Sequence, residues 1–514
     1  MSRRRFLLGA LFALLLVLAF MVQAPAVRAD SVITITVTKS DGSAYPGVNI
    51  SYYKGYWQGL GKTNSAGVLV VSLPDGTYSF RAEVGGTVET KSGTVPGALS
   101  FQTAKATVHV TKSDGSDLAG ANVAYYRGYW QGFGKTNAQG KACVELFPGT
   151  YKFRVEVGGT AEAKSLKLDR PGATVSFQTA KATVHVTKSD GSDLAGANVA
   201  YYRGYWQGFG KTNAQGKACV ELFPGTYQFR AEVGGTAETK SLKLVRPGAT
   251  VSFQTAKVIA EVKGCDGTPV KGVGVQYNRG YWQGIGKTNA EGKVCVELFP
   301  ATVGFRALYA GTASAVQNVA IARPSVTVTF TPTKVDLQFT GVVQYWRGYW
   351  QGFHSPLYMF PGTYRFRFYR TGQPAVEVKV KVSGCELVKS VAYVRLVDHA
   401  GKGLAGGVAR YYLGGWKTIG TTPASGAVVA LIDGKRGKMN FRMDYAGAAM
   451  TKWQNIAADS FVIFQTKLAT MKLLDSAGNE LAGGTKYYAG GWRTFGSGTT
   501  TTTMELLPVK YNFR

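Results

Sequence analysis

One aromatic pattern returns seven times along the 514-residue chain and constrains its fold more than any other feature. The string Tyr-Tyr-Arg-Gly-Tyr-Trp-Gln-Gly at residues 125–132 recurs unchanged at 201–208, and variants of it mark five other places. The central tryptophans of these strings lie 73, 76, 76, 68, 66 and 76 residues apart. A period of this length exceeds the roughly 20–50 residues of a solenoid coil. The repeat predicts about seven small domains in tandem, each closing its own core.

The repeat and the N-terminal composition divide the chain into eight segments. The fifth repeat is expected to be degenerate, because residues 354–356 replace most of a Lys-Thr-Asn hairpin. The last repeat is expected to be truncated, because its sequence ends in what corresponds to the middle of a strand. We expect a signal peptide at 1–29 and β-sandwich modules at 30–105, 106–181, 182–257, 258–332, 333–389, 390–467 and 468–514.

Each module is predicted to consist of short β-strands. Ala142, Val144 and Leu146 alternate with other residues, which places the three side chains on one face of a strand. Asp114-Gly115 and Gln139-Gly140 mark turns between strands. The sequence after residue 29 shows no amphipathic helical period with caps. The pattern predicts an all-β chain, a tandem array of sandwiches of two antiparallel sheets.

The order of strands and turns in residues 112–121 and 146–153 resembles that of collagen-adhesin B-type and carboxypeptidase-regulatory-like domains. The resemblance covers a whole module and rests on the turns and the alternation. It implies an Ig-like, prealbumin-like sandwich of the kind found on bacterial surfaces. The resemblance therefore bears on the fold and says little about the function.

Adhesin B-type domains often carry a Lys–Asn or Lys–Asp isopeptide bond assisted by a Glu, and Lys39, Lys112 and Lys188 occupy the lysine position here. Val155 stands where the Glu is expected, and the last strand, residues 175–179, has no Asn or Asp. We therefore predict no isopeptide cross-link. The intact mass should equal the sequence mass, whereas a deficit of about 17–18 Da per module, from lost ammonia or water, would contradict the prediction.

The N-terminus has the features of an export signal. A basic stretch at residues 2–7 leads into an apolar run at 6–22, and small residues suited to cleavage follow. The paired arginines leave both the Sec and the twin-arginine routes open, and an uncleaved membrane anchor is the alternative. Without residues 1–29 the chain has 55 basic and 30 acidic residues, a net charge of +25. We expect an exported, extracellular or cell-surface protein that contacts the membrane only through a signal or anchor.

The charge also restricts the expected partners. An excess of positive charge favours anionic cell-wall polymers, glycans or a host or matrix protein. The basic residues are spread along strands, with no basic helix or arm, so nucleic acid is not an expected partner.

Residues for catalysis or metal binding do not form a recognisable constellation. His109 and His185 hold equivalent positions in sister modules, so they reflect duplication and not a cluster. The sequence contains no Cys-x-x-Cys pair, phosphate-binding loop or nucleophile elbow. The acidic run at 114–117 is a calcium candidate, but a hairpin turn explains it without a metal. We predict no enzyme activity, no catalytic residue, no cofactor and no metal site.

The five cysteines are an odd number, which leaves at least one thiol free or bridging two chains. Cys143, Cys219 and Cys295 hold equivalent positions, and alternation places them on the outer face of a sheet. Successive modules separate them by more than the ~7 Å limit for a disulfide. We predict that these thiols are unpaired; the alternative is a disulfide, for which Cys265–Cys295 within one module is the plausible pair.

The aromatic motif supplies the candidate core and ligand-binding residues. An apolar residue always follows the tryptophan by three positions, and a bulge at Gly132 would let both point inward. The tyrosine before the tryptophan is glycine in the last two modules, which indicates an exposed position. The predicted core residues are Trp57, Trp130, Trp206, Trp282, Trp350, Trp416 and Trp492. The candidate ligand-binding residues are Tyr56, Tyr129, Tyr205, Tyr281, Tyr349, Arg127 and Arg203.

Two functions fit these patterns. The favoured one is a non-catalytic structural or adhesive array at the cell surface. The alternative is a carbohydrate-binding repeat, accessory to a further C-terminal domain, in which exposed tyrosines stack on sugar rings. Repetition would raise the avidity of such weak sites.

Overall fold

The computed structural model describes residues 30–514. All the regular secondary structure in that range consists of β-strands. The all-β fold of repeated small sheets is confirmed. The predicted signal peptide, residues 1–29, lies outside the described residues. Within 30–514 no helix has the length and apolar character needed to cross a membrane. The chain forms two compact units, with residues 30–187, 193–231 and 238–253 in the first and residues 188–192, 232–237 and 254–514 in the second.

The first unit holds modules 1 to 3, apart from two loops of module 3 that belong to the second unit. Module 1 consists of β1 (Asp30–Thr38), β2 (Asn49–Tyr53), β3 (Trp57–Lys62), β4 (Val68–Pro74), β5 (Gly76–Val84), β6 (Thr87–Val95) and β7 (Gly97–Gln102). Module 2 consists of β8 (Ala104–Thr111), β9 (Asn122–Tyr126), β10 (Trp130–Lys135), β11 (Lys141–Leu146), β12 (Gly149–Val157), β13 (Thr160–Leu168) and β14 (Gly172–Gln178). Module 3 consists of β15 (Ala180–Thr187), β16 (Asn198–Tyr202), β17 (Trp206–Lys211), β18 (Lys217–Leu222), β19 (Gly225–Val233), β20 (Thr236–Leu244) and β21 (Gly248–Gln254).

The second unit holds modules 4 to 7. Module 4 consists of β22 (Ala256–Val262), β23 (Gly274–Asn278), β24 (Trp282–Lys287), β25 (Lys293–Leu298), β26 (Thr302–Tyr309), β27 (Thr312–Ala313), β28 (Gln317–Ala320) and β29 (Ser325–Phe330). Module 5 consists of β30 (Thr333–Gln338), β31 (Val342–Trp346), β32 (Trp350–Gly352), β33 (Leu357–Met359), β34 (Gly362–Tyr369) and β35 (Val376–Val382). Module 6 consists of β36 (Glu386–Val397), β37 (Val408–Tyr412), β38 (Trp416–Thr421), β39 (Ala427–Asp433), β40 (Lys438–Tyr445), β41 (Ala448–Asn455) and β42 (Phe461–Gln465). Module 7 consists of β43 (Lys467–Lys472), β44 (Gly483–Tyr488), β45 (Trp492–Thr499), β46 (Thr501–Leu506) and β47 (Asn512–Phe513).

Modules 1 to 3 each fold into a three-stranded and a four-stranded sheet. In module 2 the strand orders are β11-β8-β14 and β10-β9-β12-β13. The four-stranded sheet is antiparallel throughout. One pairing departs from the expected pattern, because β14 runs parallel to β8 with Val175 opposite Val108. This strand follows a crossover from the other sheet and not a hairpin, so it enters beside the first strand in the same direction.

The two sheets of a module enclose a hydrophobic core. In module 2, Val108 and Val110 from the three-stranded sheet lie in one buried cluster with Val123 and Phe153 from the four-stranded sheet. Successive strand residues point to opposite faces, so the residues between these positions lie on the outside of each sheet. Alternation therefore decides which side chains are available for contact with other molecules.

Modules 5 and 6 of the second unit share a strand. The first part of β36, residues 386–390, pairs in parallel with β30 of module 5. The remainder of β36, residues 390–397, pairs with β39 and β42 of module 6. One sheet therefore runs through both modules, and the predicted boundary at residues 389 and 390 lies inside a strand.

Candidate functional site

A large apolar residue from one module completes the core of the module before it. Phe147 follows β11 in module 2, yet it is fully buried in the core cluster of module 1 against Phe101, with ring centroids 6.2 Å apart. Phe223 of module 3 enters the core of module 2 in the same way. Phe360 belongs to the core cluster of module 4, and Leu507 to that of module 6. The prediction that each module closes its own core is therefore wrong.

The turn that receives Phe147 permits a close approach between modules. Gly85 and Gly86 have φ angles of 55° and 70°, which a glycine adopts without strain. The hydroxyl of Thr87, the next residue, accepts a hydrogen bond from the Phe147 backbone N–H at 3.2 Å. A Cβ atom on Gly86 would lie 2.2 Å from the Arg127 guanidinium, so a side chain at this position would displace that arginine.

Two residues of the aromatic motif hold this turn. Tyr125 is buried, and its hydroxyl donates a hydrogen bond to the Gly85 carbonyl. Burial raises the pKa of Tyr125 above its ordinary value, so the hydroxyl keeps the proton that it donates. Arg127 lies directly against Gly86. Two of the eight motif residues thus serve the junction between modules 1 and 2.

The same contacts recur at four of the five later junctions, all except the one between modules 5 and 6. Tyrosine hydroxyls donate to turn carbonyls at 2.6–2.9 Å in the pairs Tyr201–Gly158, Tyr277–Gly234, Tyr345–Ala310 and Tyr487–Ala446. Arginines cover turn glycines in the pairs Arg203–Gly159, Arg279–Gly235, Arg347–Gly311 and Arg493–Gly447. Arg127 and Arg203, predicted as ligand-binding residues, are therefore placed at junctions.

A glutamate of β11 adds a polar clamp to the junction between modules 1 and 2. The Glu145 carboxylate accepts hydrogen bonds from the Ser40 hydroxyl at 2.6 Å, the Ser40 backbone N–H at 3.2 Å and the Thr103 hydroxyl at 2.5 Å. Thr103 is fully buried, so the carboxylate satisfies a hydroxyl that water does not reach. The equivalent clamps are Glu221 with Ser113 and Thr179, Glu297 with Ser189 and Thr255, and Glu505 with His399 and Thr466.

A disulfide stands in place of this clamp between modules 4 and 5. Cys265 holds the position of Ser40 in its turn, and Tyr358 holds the position of Glu145. Cys265 is bonded to Cys385, directly before β36, with the Cα atoms 5.4 Å apart. A covalent bond therefore joins the two modules where the hydrogen-bonding pair is missing.

The predicted pairing of Cys265 with Cys295 is wrong. The turn that carries Cys265 contacts module 5, whereas Cys295 lies on β25 of module 4 and is free. The other expectation for the cysteines is confirmed, since Cys143, Cys219 and Cys295 are all free and exposed.

The prediction that the motif tryptophans plug the cores is also wrong. Trp130 pairs with Tyr126 on the outer face of the four-stranded sheet and is 37% exposed. Phe133 faces the core on the other side of the sheet. The register shift lies between Gly132 and Gly134, after the tryptophan, so it does not turn Trp130 inward. Residues three apart on a regular strand point to opposite faces, and here they do.

Each motif tryptophan lies beside an arginine; in module 2 the two residues come from β10 and β12, which are separated by β9 in the sheet. The guanidinium carbon of Arg154 is 5.8 Å from the ring centroid of Trp130, and that of Arg81 is 4.5 Å from the ring centroid of Trp57. These distances are within the range of cation–π interactions. The other five modules repeat the contact at 3.9–6.0 Å in the pairs Arg230–Trp206, Arg306–Trp282, Arg367–Trp350, Arg442–Trp416 and Arg514–Trp492.

A second aromatic ring flanks the tryptophan in six modules. The rings of Tyr126 and Trp130 meet edge to face with centroids 5.4 Å apart, and both are exposed. Equivalent pairs are Tyr53–Trp57, Tyr202–Trp206, Trp346–Trp350, Tyr412–Trp416 and Tyr488–Trp492. We call Tyr126, Trp130 and Arg154, with their equivalents, the aromatic–arginine face.

The five predicted ligand-binding tyrosines lie outside this face. They are exposed, by 53–67%. Tyr129 lies against Arg127, whose guanidinium carbon is 4.5 Å from the ring centroid and which also donates to the tyrosine hydroxyl. The same contact joins Arg203 to Tyr205, Arg279 to Tyr281 and Arg347 to Tyr349. The junction arginines thus already occupy four of the five tyrosines, and Tyr56 has Lys54 at the equivalent position.

The acidic turns have internal hydrogen bonds. The Asp114 carboxylate accepts from the hydroxyl and the backbone N–H of Ser116, and these bonds lower the pKa of Asp114 below its ordinary value. His109 pairs with Asp117 at 2.8 Å. No cluster of three or more metal-ligating side chains occurs among residues 30–514. The contacts of the 114–117 run are those of a hairpin turn.

Comparison with known proteins places the chain in no established family. No family model matches it, and no curated protein matches it. Among solved structures it is similar to the Bacillus anthracis TIE protein, at 13% identity over 59% of this chain and 68% of that chain, with a TM-score of 0.17. A streptococcal ancillary pilin is 12% identical over 44% of this chain and 98% of the pilin chain, with a TM-score of 0.18. The major pilin subunit BcpA of Bacillus cereus is 12% identical over 44% of this chain and 98% of the BcpA chain, with a TM-score of 0.15. Scores this low carry no argument, and the fold rests on the sheets described above.

Proposed function

We propose that this chain is an exported, non-catalytic structural array, a spacer at the cell surface whose successive modules are locked together. The observation that carries the proposal is the repeated junction. At the first of them Phe147, Tyr125, Arg127 and Glu145 of module 2 all engage module 1. Domains within one chain move relative to one another unless their interface is large and apolar. Buried apolar and polar contacts at each junction oppose such motion, which suits a spacer.

The cysteines support the assignment to an oxidising compartment. A disulfide such as Cys265–Cys385 persists in secreted and surface proteins and is rare in the cytosol. The predicted signal peptide supports the same compartment. The repeated aromatic–arginine face gives the array a surface on which adhesion can operate.

The three free thiols provide a direct test of surface display. Intact cells that naturally produce the chain are treated with a membrane-impermeant maleimide, and the protein is then digested and its cysteine peptides are identified by mass spectrometry. Cys143, Cys219 and Cys295 are expected to be labelled, because all three are exposed. Cys265 and Cys385 are expected to be labelled only after reduction, because the disulfide holds both sulfur atoms.

Each result of the labelling has a definite meaning. A chain in which the three free cysteines are serine serves as the matched control and should take up no label without reduction. Labelling that appears only after the cells are broken would contradict surface display. Labelling of Cys265 without reductant would contradict both the disulfide and the oxidising compartment.

A further inference from the structure

We infer that the aromatic–arginine face is a binding site for an acidic polysaccharide, repeated along the chain. The site comprises the motif tryptophan, which is exposed or half-buried, its partner arginine and the open strip of sheet beside them. It differs from the tyrosine site expected from the sequence, since Tyr129 and its equivalents are held by the junction arginines. The inference is independent of the junctions, so its failure would leave the proposed spacer function intact.

An open groove marks the site in module 1. Its lining combines the ring of Trp57, the guanidinium of Arg81, the carboxylate of Glu83 and the polar side chains of Asn49 and Ser51. Sugar rings bind proteins through C–H groups packed on aromatic rings and through hydroxyls that hydrogen-bond to polar side chains. The groove presents both kinds of group next to each other.

The glycine after the Trp-Gln pair keeps the groove open in modules 1 to 4, whereas modules 6 and 7 have Thr418 and Thr494 at this position. A Cβ atom on Gly59 or Gly284 would meet no atom within 4 Å, and on Gly132 or Gly208 it would meet only a carbonyl oxygen at 3.9 Å. None of the four has a positive φ, so the backbone does not require glycine there. Each of them borders the bulge of its strand, and a side chain there would project into the groove beside the tryptophan.

The arginine selects the charge of the ligand. Phe-Arg occurs at this strand position in all seven modules, and each guanidinium lies within 6.0 Å of its tryptophan ring. The ring orients the guanidinium, whose planar donors match a carboxylate. The net charge of +25 without residues 1–29 attracts polyanions in general. A polymer of carboxylate-bearing sugars meets both requirements, stacking on the aromatic rings and pairing with arginine.

The test uses the chain without residues 1–29 and three immobilised polymers. Polygalacturonate supplies sugar rings with carboxylates, dextran supplies neutral sugar rings, and polyphosphate supplies charge without rings. The chain is expected to bind polygalacturonate roughly tenfold or more tightly than either control polymer, because several weak sites act together. Binding should change the tryptophan fluorescence, since eight of the nine tryptophans, all but Trp453, belong to the face.

The decisive variant fills the groove without removing any contact. Changing Gly59, Gly132, Gly208 and Gly284 together to leucine is expected to weaken polygalacturonate binding roughly tenfold or more, with an unchanged unfolding temperature. Replacing the arginines Arg81, Arg154 and Arg230 by glutamine should weaken it as well. The matched control, alanine at Tyr56, Tyr129, Tyr205, Tyr281 and Tyr349, removes exposed aromatic rings outside the face and should keep binding.

Five outcomes would overturn the inference. If the chain were not retained on polygalacturonate, it would have no site for an acidic polysaccharide. If it were retained equally on polyphosphate, its net positive charge alone would account for the binding. Equal retention on dextran would remove the role of arginine. Full binding by the leucine variant, or loss of binding by the tyrosine variant, would move the site elsewhere on the chain.

Discussion

Replacing Phe147 by alanine is expected to destabilise module 1, although Phe147 belongs to the sequence of module 2. The ring is fully buried in the module 1 core, and a Phe→Ala change in a core costs about 3–5 kcal/mol through lost burial and the cavity left behind. Pulse proteolysis of the full chain at increasing urea concentration measures this loss. Cleavage within residues 30–102 should begin at a lower urea concentration than in the unchanged chain.

The matched control for this variant is Phe133→Ala. Phe133 is also in module 2, but it packs against the core of module 2 itself. Its loss should advance cleavage within module 2 and leave the strands of module 1 as resistant as before. If Phe147→Ala instead loosened module 2 and spared module 1, the exchange of core residues between modules would be refuted.

Removing the disulfide is expected to lower the stability of modules 4 and 5 and leave modules 1 to 3 unchanged. Cys265 and Cys385 are 120 residues apart in the sequence, and closing a loop of about 100 residues stabilises a protein by about 4–5 kcal/mol in the chain-entropy account. Serine at position 265 does not restore the hydrogen-bonded clamp, because Tyr358 replaces the glutamate. Calorimetry of the full chain with Cys265→Ser and Cys385→Ser should show one transition moved to lower temperature.

The three free cysteines supply the control for that experiment. Serine at Cys143, Cys219 and Cys295 removes exposed thiols and should leave every transition in place. Reductant should shift the unchanged chain and the control alike, and should have no effect on the variant that lacks the disulfide. Identical calorimetric traces for all three proteins would contradict a stabilising role for the bond.

The sheets could be predicted from the sequence because their cause is local. Ala142, Val144 and Leu146 alternate, and Asp114-Gly115 makes a turn, so strands follow from residues close together in the chain. The shared strand β36 could not be predicted in this way. Its 12 residues continue without a turn through the predicted boundary, and only the pairing with both β30 and β39 shows that it serves two modules.

The prediction that the tryptophans point into the cores is wrong, and the sequence itself contains the reason. Trp130 and Phe133 are three residues apart, and regular alternation assigns them to opposite faces. The predicted bulge is present, but it follows Trp130 in the strand, so the tryptophan stays on the outer face. The arginine of the face was missed, although Phe-Arg recurs in all seven modules and so was visible in the repeat.

The junctions could not be predicted because their residues resemble surface residues. An arginine such as Arg127 is equally suited to binding a ligand. Its role becomes clear only from its contact with Gly86, in the turn of module 1. Phe147 follows an apolar strand, which suggests a core residue but does not say of which module.

Hydrogen exchange followed by mass spectrometry tests the coupling of modules most directly. The full chain is compared with its Phe147→Ala and Glu145→Ala variants, with Glu156→Ala, an exposed glutamate of the same module, as control. Hydrogen exchange in the strands of module 1, residues 30–102, is expected to be faster in the first two variants and unchanged in the control. Exchange that rose only within module 2, or in no module at all, would show that the modules are independent domains.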